Sequence, residues 1–209
     1  MKNYISINDQ KIQLTQEQVQ QIIAAFGQLS SQPDSNVKLS DVAAGDTVRI
    51  GDHEMIVLEQ MDGHTALIRK DILPEKIAFG SNSNYIGSNA DNACEVFANE
   101  IACVVGAENM VLHDVDLTSD DGLDDFGKAT GRRASLLTAD MYRRYVRILD
   151  KHTVKAWWWL ATPFSIPPHD EDNWVKCVSP SGCILIDFYD VVIGVRPFCI
   201  LKSTIFVSK

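Results

Sequence analysis

The residues best suited to chemistry form an acidic stretch from His113 to Asp125, which reads HDVDLTSDDGLDD and contains six aspartates. Carboxylates are the ligands that calcium prefers, but an EF-hand loop also needs a glycine at its sixth position and a glutamate at its twelfth. Registers that start at Asp114, Asp116 or Asp120 do not meet these requirements. The stretch therefore predicts a solvated acidic loop without a cofactor, with calcium bound at Asp114–Asp125 as the alternative.

The other reactive residue types form no recognisable motif. The five histidines have neither H-x-x-x-H nor H-E-x-x-H spacing, and no GxSxG motif or phosphate-binding loop is present in the sequence. The cysteines fit neither a disulfide framework nor a zinc-binding CxxC pair, and they stand at positions 94, 103, 177, 183 and 199. We therefore predict no catalytic residue and no metal site, and we expect most thiols to be reduced and buried.

Three consecutive tryptophans open the stretch WWWLATP, residues 157–163. Side chains alternate between the two faces of an extended strand, so Trp157 and Trp159 would share one face and Trp158 would lie on the other. One interpretation is that all three rings pack in the core. The alternative is that at least one of them forms the wall of a binding surface.

The overall charge argues against two classes of partner. The chain has 209 residues and a formal net charge of −9, whereas binding to nucleic acid or to an anionic membrane requires clustered lysine and arginine. Its first residues, MKNYISINDQ, lack the apolar core of a signal peptide, and no apolar run is long enough to span a bilayer. These features predict cytoplasmic synthesis without export, no membrane insertion and no nucleic-acid partner.

The N-terminal residues predict a small separate unit, residues 1–30. Residues 4–14 alternate around Asn8 and Asp9, which predicts a hairpin. Thr15 and Gln18 then form a capping box at the start of a helix. The apolar stripe of that helix consists of Val19, Ile22, Ile23, Phe26 and Leu29. The stripe either packs within its own unit or pairs with other subunits, and the second interpretation makes this unit an oligomerisation or attachment element.

The remaining chain, residues 37–209, follows a polar segment and predicts one α+β domain. Strands are expected at 47–50, 54–60 and 64–69, and helices at 92–105 and from a Thr138 cap to about Lys151. The last part of the chain is again rich in strand-forming residues. This order of elements indicates that the first and last strands of the domain share a sheet.

The segment from Cys183 to Ile193, CILIDFYDVVI, is unusually apolar for so acidic a chain. Its apolar residues do not alternate with polar ones, although a half-buried strand should show such alternation. Contiguous apolar and aromatic side chains that are exposed on a polar surface are typical of an interaction site. A buried strand is the alternative.

Two motifs carry a resemblance to a known family. WWWLATP followed by GVRPFCIL resembles bacterial and phage domains of unknown function with the signature W-W-L-R-S-P and a terminal G-V-R-P-A-L strand. The segment that begins GDHEMIVLEQ is similar to the opening hairpin of that family, and the likeness runs from about Val37 to Lys202. Ala161 stands where the family usually has arginine, so any role of that arginine is absent or relocated here.

Domains of this pattern resemble the C-type-lectin fold, in the branch shared with formylglycine-generating enzymes and with the variable proteins of diversity-generating retroelements. In those variable proteins, the residues before the closing G-V-R-P strand are diversified and bind a ligand. Adenine-directed mutation of an AAC codon cannot yield Met, Trp, Lys, Gln or Glu, and residues 183–193 contain none of these. Residues 77–94 lack them as well, so the agreement is a weak test.

The resemblance implies a non-enzymatic ligand- or receptor-binding protein, encoded by a prophage and associated with a virion, with a protein or glycan as its macromolecular ligand and a homo-oligomeric state. Arg196, beside Gly194 and Pro197, is expected to pair with a buried carboxylate. The alternatives are a structural phage or host protein without a variable site, and an oxidative enzyme that uses Cys177 and Cys183 as a thiol pair. The predicted ligand-binding residues are Trp174, Cys183, Ile184, Ile186, Asp187, Phe188, Tyr189, Asp190, Val191 and Ile193.

Overall fold

A computed structural model of the protein describes residues 3–7, 10–15, 36–167, 169 and 173–209. The chain divides into two compact units, residues 1–35 and 36–209. In the first unit, strands β1 (Asn3–Ile7) and β2 (Gln10–Leu14) pair in antiparallel fashion with Ile5 opposite Ile12, which confirms the predicted hairpin. The predicted helix after Thr15, with its apolar stripe, lies outside the described residues.

The second unit is built on one large antiparallel sheet with the strand order β10-β14-β6-β5-β4-β15-β3, and β7 pairs with β14. Its strands are β3 (Asn36–Lys38), β4 (Thr47–Ile50), β5 (His53–Met61), β6 (His64–Arg69), β7 (Met110–Val111), β10 (Ala134–Ser135), β14 (Phe198–Lys202) and β15 (Phe206–Ser208). The three predicted strands β4, β5 and β6 are confirmed. The first and last strands of the unit do share this sheet, as predicted.

Two smaller sheets complete the β structure of the second unit. Strands β8 (His113–Asp116) and β9 (Lys128–Arg132) pair with each other and enclose the acidic loop. Strands β11 (Trp158–Pro163), β12 (Trp174–Val178) and β13 (Ile184–Phe188) form a three-stranded antiparallel sheet with β12 in the middle. Strand β13 therefore lies at one edge of its sheet.

Both predicted helices are present, and local capping accounts for their ends. Helix α1 (Asn89–Val105) begins after Ser88, whose side chain accepts a hydrogen bond from the Asp91 amide, and ends at Gly106. Helix α2 (Ala139–Leu149) begins after Thr138, whose hydroxyl accepts from the Met141 amide at 3.2 Å. The unit is thus α+β, as predicted. No helix among the described residues is long and apolar enough to cross a membrane.

The core has two layers, one on each face of the large sheet. Phe97 and Ile101 of α1 pack in the first layer, and Tyr142 and Tyr145 of α2 pack in the second. Strand β5 contributes alternately, with Met55 and Val57 in the first layer and Ile56 and Leu58 in the second. A strand that is buried on both faces reads as a continuous apolar run, which explains the sequence MIVL in β5.

The tryptophans of β11 follow the same division. Trp158 packs in the second layer and Trp159 in the first, and both are almost completely buried. Trp157, which precedes the strand, is 38% exposed. Burial on both faces also explains why Leu160 and Ala161 continue the apolar run. The interpretation as core is therefore correct for Trp158 and Trp159 and wrong for Trp157.

Arg196 is buried as expected, but its predicted partner is wrong. The guanidinium donates to the backbone carbonyls of Arg69 and Lys70, each at 2.9 Å, and to that of His152 at 3.3 Å. It also lies 5.2 Å from the centre of the Trp158 ring. Burial lowers the pKa of Arg196 to about 10. No carboxylate among the described residues forms an ion pair with it; backbone carbonyls accept from Nε and Nη2 instead.

Candidate ligand-binding surface

The candidate surface is formed by β12 and β13, which place Trp174 directly opposite Phe188. The two rings lie 3.8 Å apart between centres, with 33° between their planes. Directly opposed residues of antiparallel strands project to the same face, so the pairing register brings the rings together. Trp174 is half-buried and Phe188 is 42% exposed, which leaves an aromatic pair open to solvent at the sheet edge.

The predicted segment divides into exposed, half-buried and buried residues. Cys183, Phe188 and Asp190 are exposed, and Ile193 is buried at 7% exposure. The expectation that Ile193 is solvent-accessible is therefore wrong. The half-buried residues are Ile184, Ile186, Asp187, Tyr189 and Val191. Val178 before the segment and Val195 and Phe198 after it are buried.

Two side chains of this surface, Leu185 and Val192, are absent from the predicted set. Leu185 is 45% exposed and Val192 is 60% exposed. Alternation along β13 places Leu185 on the face opposite to Phe188, and both are accessible because β13 pairs with no described strand on its outer side. Their position inside the predicted apolar segment was the signal that could have identified them.

Backbone hydrogen bonds hold the end of the segment in place. The Tyr189 carbonyl accepts from the Phe79 amide at 2.7 Å, and the Ile193 and Ile77 backbones bond to each other. The next residue, Gly194, lies against Ile72, where an added Cβ atom would stand 2.6 Å from Cγ2 of that side chain. A glycine is required at this close approach. The segment from residue 72 to residue 79 therefore covers the end of the apolar segment and buries Ile193.

The absence of period-two alternation has a structural cause. Ile184 packs against the second core layer, whereas Tyr189 and Val191 pack against the first. The segment thus contacts both layers and continues beyond β13 into an irregular, covered stretch. A segment of this kind carries apolar residues on both sides and cannot alternate as a simple half-buried strand does.

A charged cluster borders the aromatic pair on β12. The ammonium of Lys176, a buried residue, lies 2.7 Å from Oδ2 of Asp120 and 5.3 Å from the centre of the Phe164 ring. Arg143 of α2 approaches the other Asp120 oxygen at 3.3 Å. Burial by itself raises the pKa of Asp120, but the hydrogen bond from Lys176 and the charges of Lys176 and Arg143 outweigh it, and the pKa is lowered. Asp120 therefore remains ionised.

This cluster opens into a polar cavity of about 350 Å³. Thr138 and Thr162 contribute hydroxyl groups to its lining, and Asp116, Asp140 and Arg143 contribute charges. Arg143 also donates to Asp140 at 2.6 Å. A cavity lined by hydroxyls and charged groups can accept hydrogen bonds and charge from a polar ligand.

The acidic loop uses its carboxylates within the protein. Asp121 accepts hydrogen bonds from Ser119, from Ser165 at 2.6 Å and from His169 at 2.8 Å. These bonds hold the pKa of Asp121 far below its usual value. Among the described residues, no three acidic, histidine or cysteine side chains converge as metal ligands would. The loop instead places Asp120 beside Lys176 of β12 and Asp121 beside Ser165 and His169.

The two cysteines of the enzymatic alternative differ in their environments. Cys183 is exposed, whereas Cys177 is buried, and burial raises the pKa of the Cys177 thiol to about 12. A thiol with that pKa remains protonated near neutral pH and is a poor nucleophile. Both cysteines are free thiols. This arrangement does not favour thiol chemistry by the pair.

Comparison with known proteins identifies no relative: no family model, no curated protein and no solved structure matches this chain.

Proposed function

We propose that this chain is a non-enzymatic binding protein that presents the β12–β13 surface to a macromolecular ligand, a protein or a glycan. The observation that carries the proposal is the stacked Trp174–Phe188 pair, with Phe188 exposed on an edge strand. Exposed aromatic rings are enriched at binding sites because they bury a large area at a small entropic cost. Leu185, on the other face of β13, and Val192, beyond the end of the strand, are further exposed apolar side chains of the same segment.

We infer a C-type-lectin-like arrangement for residues 36–209. Three features support it: strands from both ends of the unit share one sheet, a helix packs on each face of that sheet, and a separate three-stranded sheet carries the tryptophans. The resemblance of WWWLATP and GVRPFCIL to phage and bacterial domains supports the same arrangement. Under this proposal a retroelement diversifies residues 183–193, and residues 1–30 join the prophage-encoded chain to an oligomer or virion.

Diversification is compatible with the way the segment is built. Side chains at the exposed positions Leu185, Phe188 and Val192 can change with little effect on the core, because no core layer surrounds them. Ile193, in contrast, is buried beneath the segment at residues 72–79 and belongs to the framework. The proposal therefore limits the variable positions to the exposed and half-buried residues before Ile193.

Binding experiments with matched variants test this function. The full chain is applied to a glycan array and to a panel of intact bacterial cells, and bound protein is quantified by fluorescence. Phe188→Ser and Trp174→Ser, which each remove one ring of the stacked pair, should abolish binding. The controls are Phe206→Ser and Leu112→Ser, which remove apolar side chains that are 68% and 62% exposed outside the candidate surface. Both controls should bind as the parent does.

Equal binding by all four variants would contradict the proposal. That result is the one expected for the alternative, a structural protein without a variable site, in which no binding depends on Phe188.

The DNA beside the gene gives a separate test of diversification. A reverse transcriptase gene and a near-copy of the 3′ end of the gene are expected there, and their absence would refute the retroelement part of the proposal.

A further inference from the structure

A second cavity lies against α1, and its volume is about 560 Å³. We call it the α1 cavity. Its apolar lining consists of Leu73, Pro74, Ile77, Ala93, Val96 and Phe97. The volume is within the range of roughly 300–1,000 Å³ that is typical of small-molecule sites, which are likewise lined mainly by apolar side chains with few polar groups. Val96 is 59% exposed, so this apolar lining is open to a ligand.

Carboxylates outnumber the available cations around the α1 cavity. Asp52, Glu75 and Glu100 all line it, and Asp52 and Glu75 are exposed at its rim. Among the described residues, Arg69 is the one arginine or lysine in the lining, so three carboxylates face a single guanidinium. Its Nη1 atom donates to the backbone carbonyls of Asp71 at 3.1 Å and of Ile72, whereas its buried Nε has no partner and its charge is retained. The field within the cavity is therefore negative and favours a cation.

His53 adds an unpaired acceptor beside this negative field. Its Nε2 atom lies 3.2 Å from Oε2 of Glu100, and its ring packs edge-on against Phe97 at 5.0 Å between centres. In the neutral tautomer with its proton on Nε2, toward this carboxylate, Nδ1 is an acceptor. Nδ1 is buried and has no partner among the described residues. An ammonium group is the kind of donor that this acceptor lacks.

We propose that the α1 cavity binds a small amphiphilic cation, an amine with an apolar aliphatic or aromatic body. The apolar body covers the wall formed by Ile77, Ala93 and Val96, and the ammonium group lies beside Glu100 and the acidic rim. This site is independent of the macromolecular ligand proposed for the β12–β13 surface, and either can fail without the other.

Three probes of similar shape and different charge test the site by isothermal titration calorimetry on the full chain. They are phenylethylammonium, phenylethanol and phenylpropionate. The ammonium probe should bind at millimolar concentration or below, at least about tenfold more tightly than phenylpropionate, because each nearby carboxylate favours the cation and opposes the anion. Equal or tighter binding of phenylpropionate would mean that Arg69 determines the specificity, and it would overturn the proposal. Failure of the ammonium probe to bind would overturn it as well.

Variants locate the binding. Glu100→Gln should weaken binding of phenylethylammonium by about two- to fivefold, as expected for one partly exposed ion pair, and should leave phenylethanol unaffected. Ala93→Met, which fills the cavity, should weaken both probes. Glu108→Gln, a change outside the cavity, is the control and should bind as the parent does. If Glu100→Gln does not give the parent circular dichroism spectrum, Glu75→Gln at the exposed rim replaces it. Binding that is unchanged in the carboxylate and cavity-filling variants would refute the assignment.

Discussion

Alanine replacement of each residue of the tryptophan triplet tests the two-layer core, because three adjacent rings have different environments. Trp157 is 38% exposed, whereas Trp158 is 1% and Trp159 is 0% exposed. Truncation of a fully buried aromatic side chain destabilises a protein by about 3–5 kcal/mol through lost burial and the cavity that remains. We therefore expect losses of that size for Trp158→Ala and Trp159→Ala, and a loss of less than about 1 kcal/mol for Trp157→Ala.

Trp159 should be the most sensitive of the three. Its Nε1 atom donates to the Ile77 carbonyl at 3.1 Å, and its ring packs edge-on against Phe79 at 5.5 Å between centres. Its truncation leaves the Ile77 carbonyl without this donor, which adds about 1 kcal/mol. Ile77 also pairs with Ile193, so the same change loosens the segment that holds the end of the candidate surface.

Urea unfolding followed by far-UV circular dichroism measures these changes without relying on tryptophan fluorescence. The free energy of unfolding should fall in the order parent, Trp157→Ala, Trp158→Ala, Trp159→Ala, with a large step between the second and the third. A loss in Trp157→Ala equal to that in Trp159→Ala would refute the two-layer assignment. A loss below about 1 kcal/mol in Trp159→Ala would refute it as well.

Three further predictions concern other parts of the molecule. In the native protein, iodoacetamide should modify Cys103 and Cys183 and leave the three buried thiols unmodified until urea is added, and mass spectrometry of the labelled peptides would show any departure from this. The pKa of Asp121 is lowered in the folded state, so its stabilising contribution is present above the ordinary aspartate pKa of about 4 and is lost as pH falls toward the folded value. The stabilities of the parent and of Asp121→Asn, measured by acid unfolding, should therefore converge below about pH 4. A constant difference between the two curves would contradict this. Light scattering should show an oligomer for the full chain and a species with fewer subunits for a chain that begins at Asn36. The same number of subunits in both would rule out an oligomerisation role for the N-terminal unit.

The N-terminal hairpin, strands β4 to β6 and both helices could be predicted because their signals are local, whereas β8 lies within the stretch predicted as an acidic loop. The Thr138 cap, the glycine stop at Gly106 and the turn before β6 depend on residues that are neighbours in the chain. The boundaries of β5 differ from the prediction by one residue at each end. Such small differences arise because pairing with β4 and β6 extends a strand to the last residue that finds a partner.

The partner of Arg196 could not be predicted, because it depends on which segments pass near the side chain in space. A buried arginine near the end of a chain suggests a carboxylate, yet the carbonyls of Arg69, Lys70 and His152 surround this one. These residues belong to the end of β6 and to the turn after α2, two places far apart in the sequence. The same reasoning applies to the α1 cavity, whose lining comes from three separate parts of the chain.

Composition and periodicity show that residues 183–193 are apolar, lack alternation and follow a tryptophan-rich strand, because both are properties of the chain alone. Which of these side chains reach solvent depends on tertiary contacts. Phe188 is exposed because β13 ends its sheet, and its ring stacks on Trp174 from the neighbouring strand. Ile193 is buried because residues 72–79 cover it, and a covering segment more than a hundred residues away leaves no mark in the local sequence pattern.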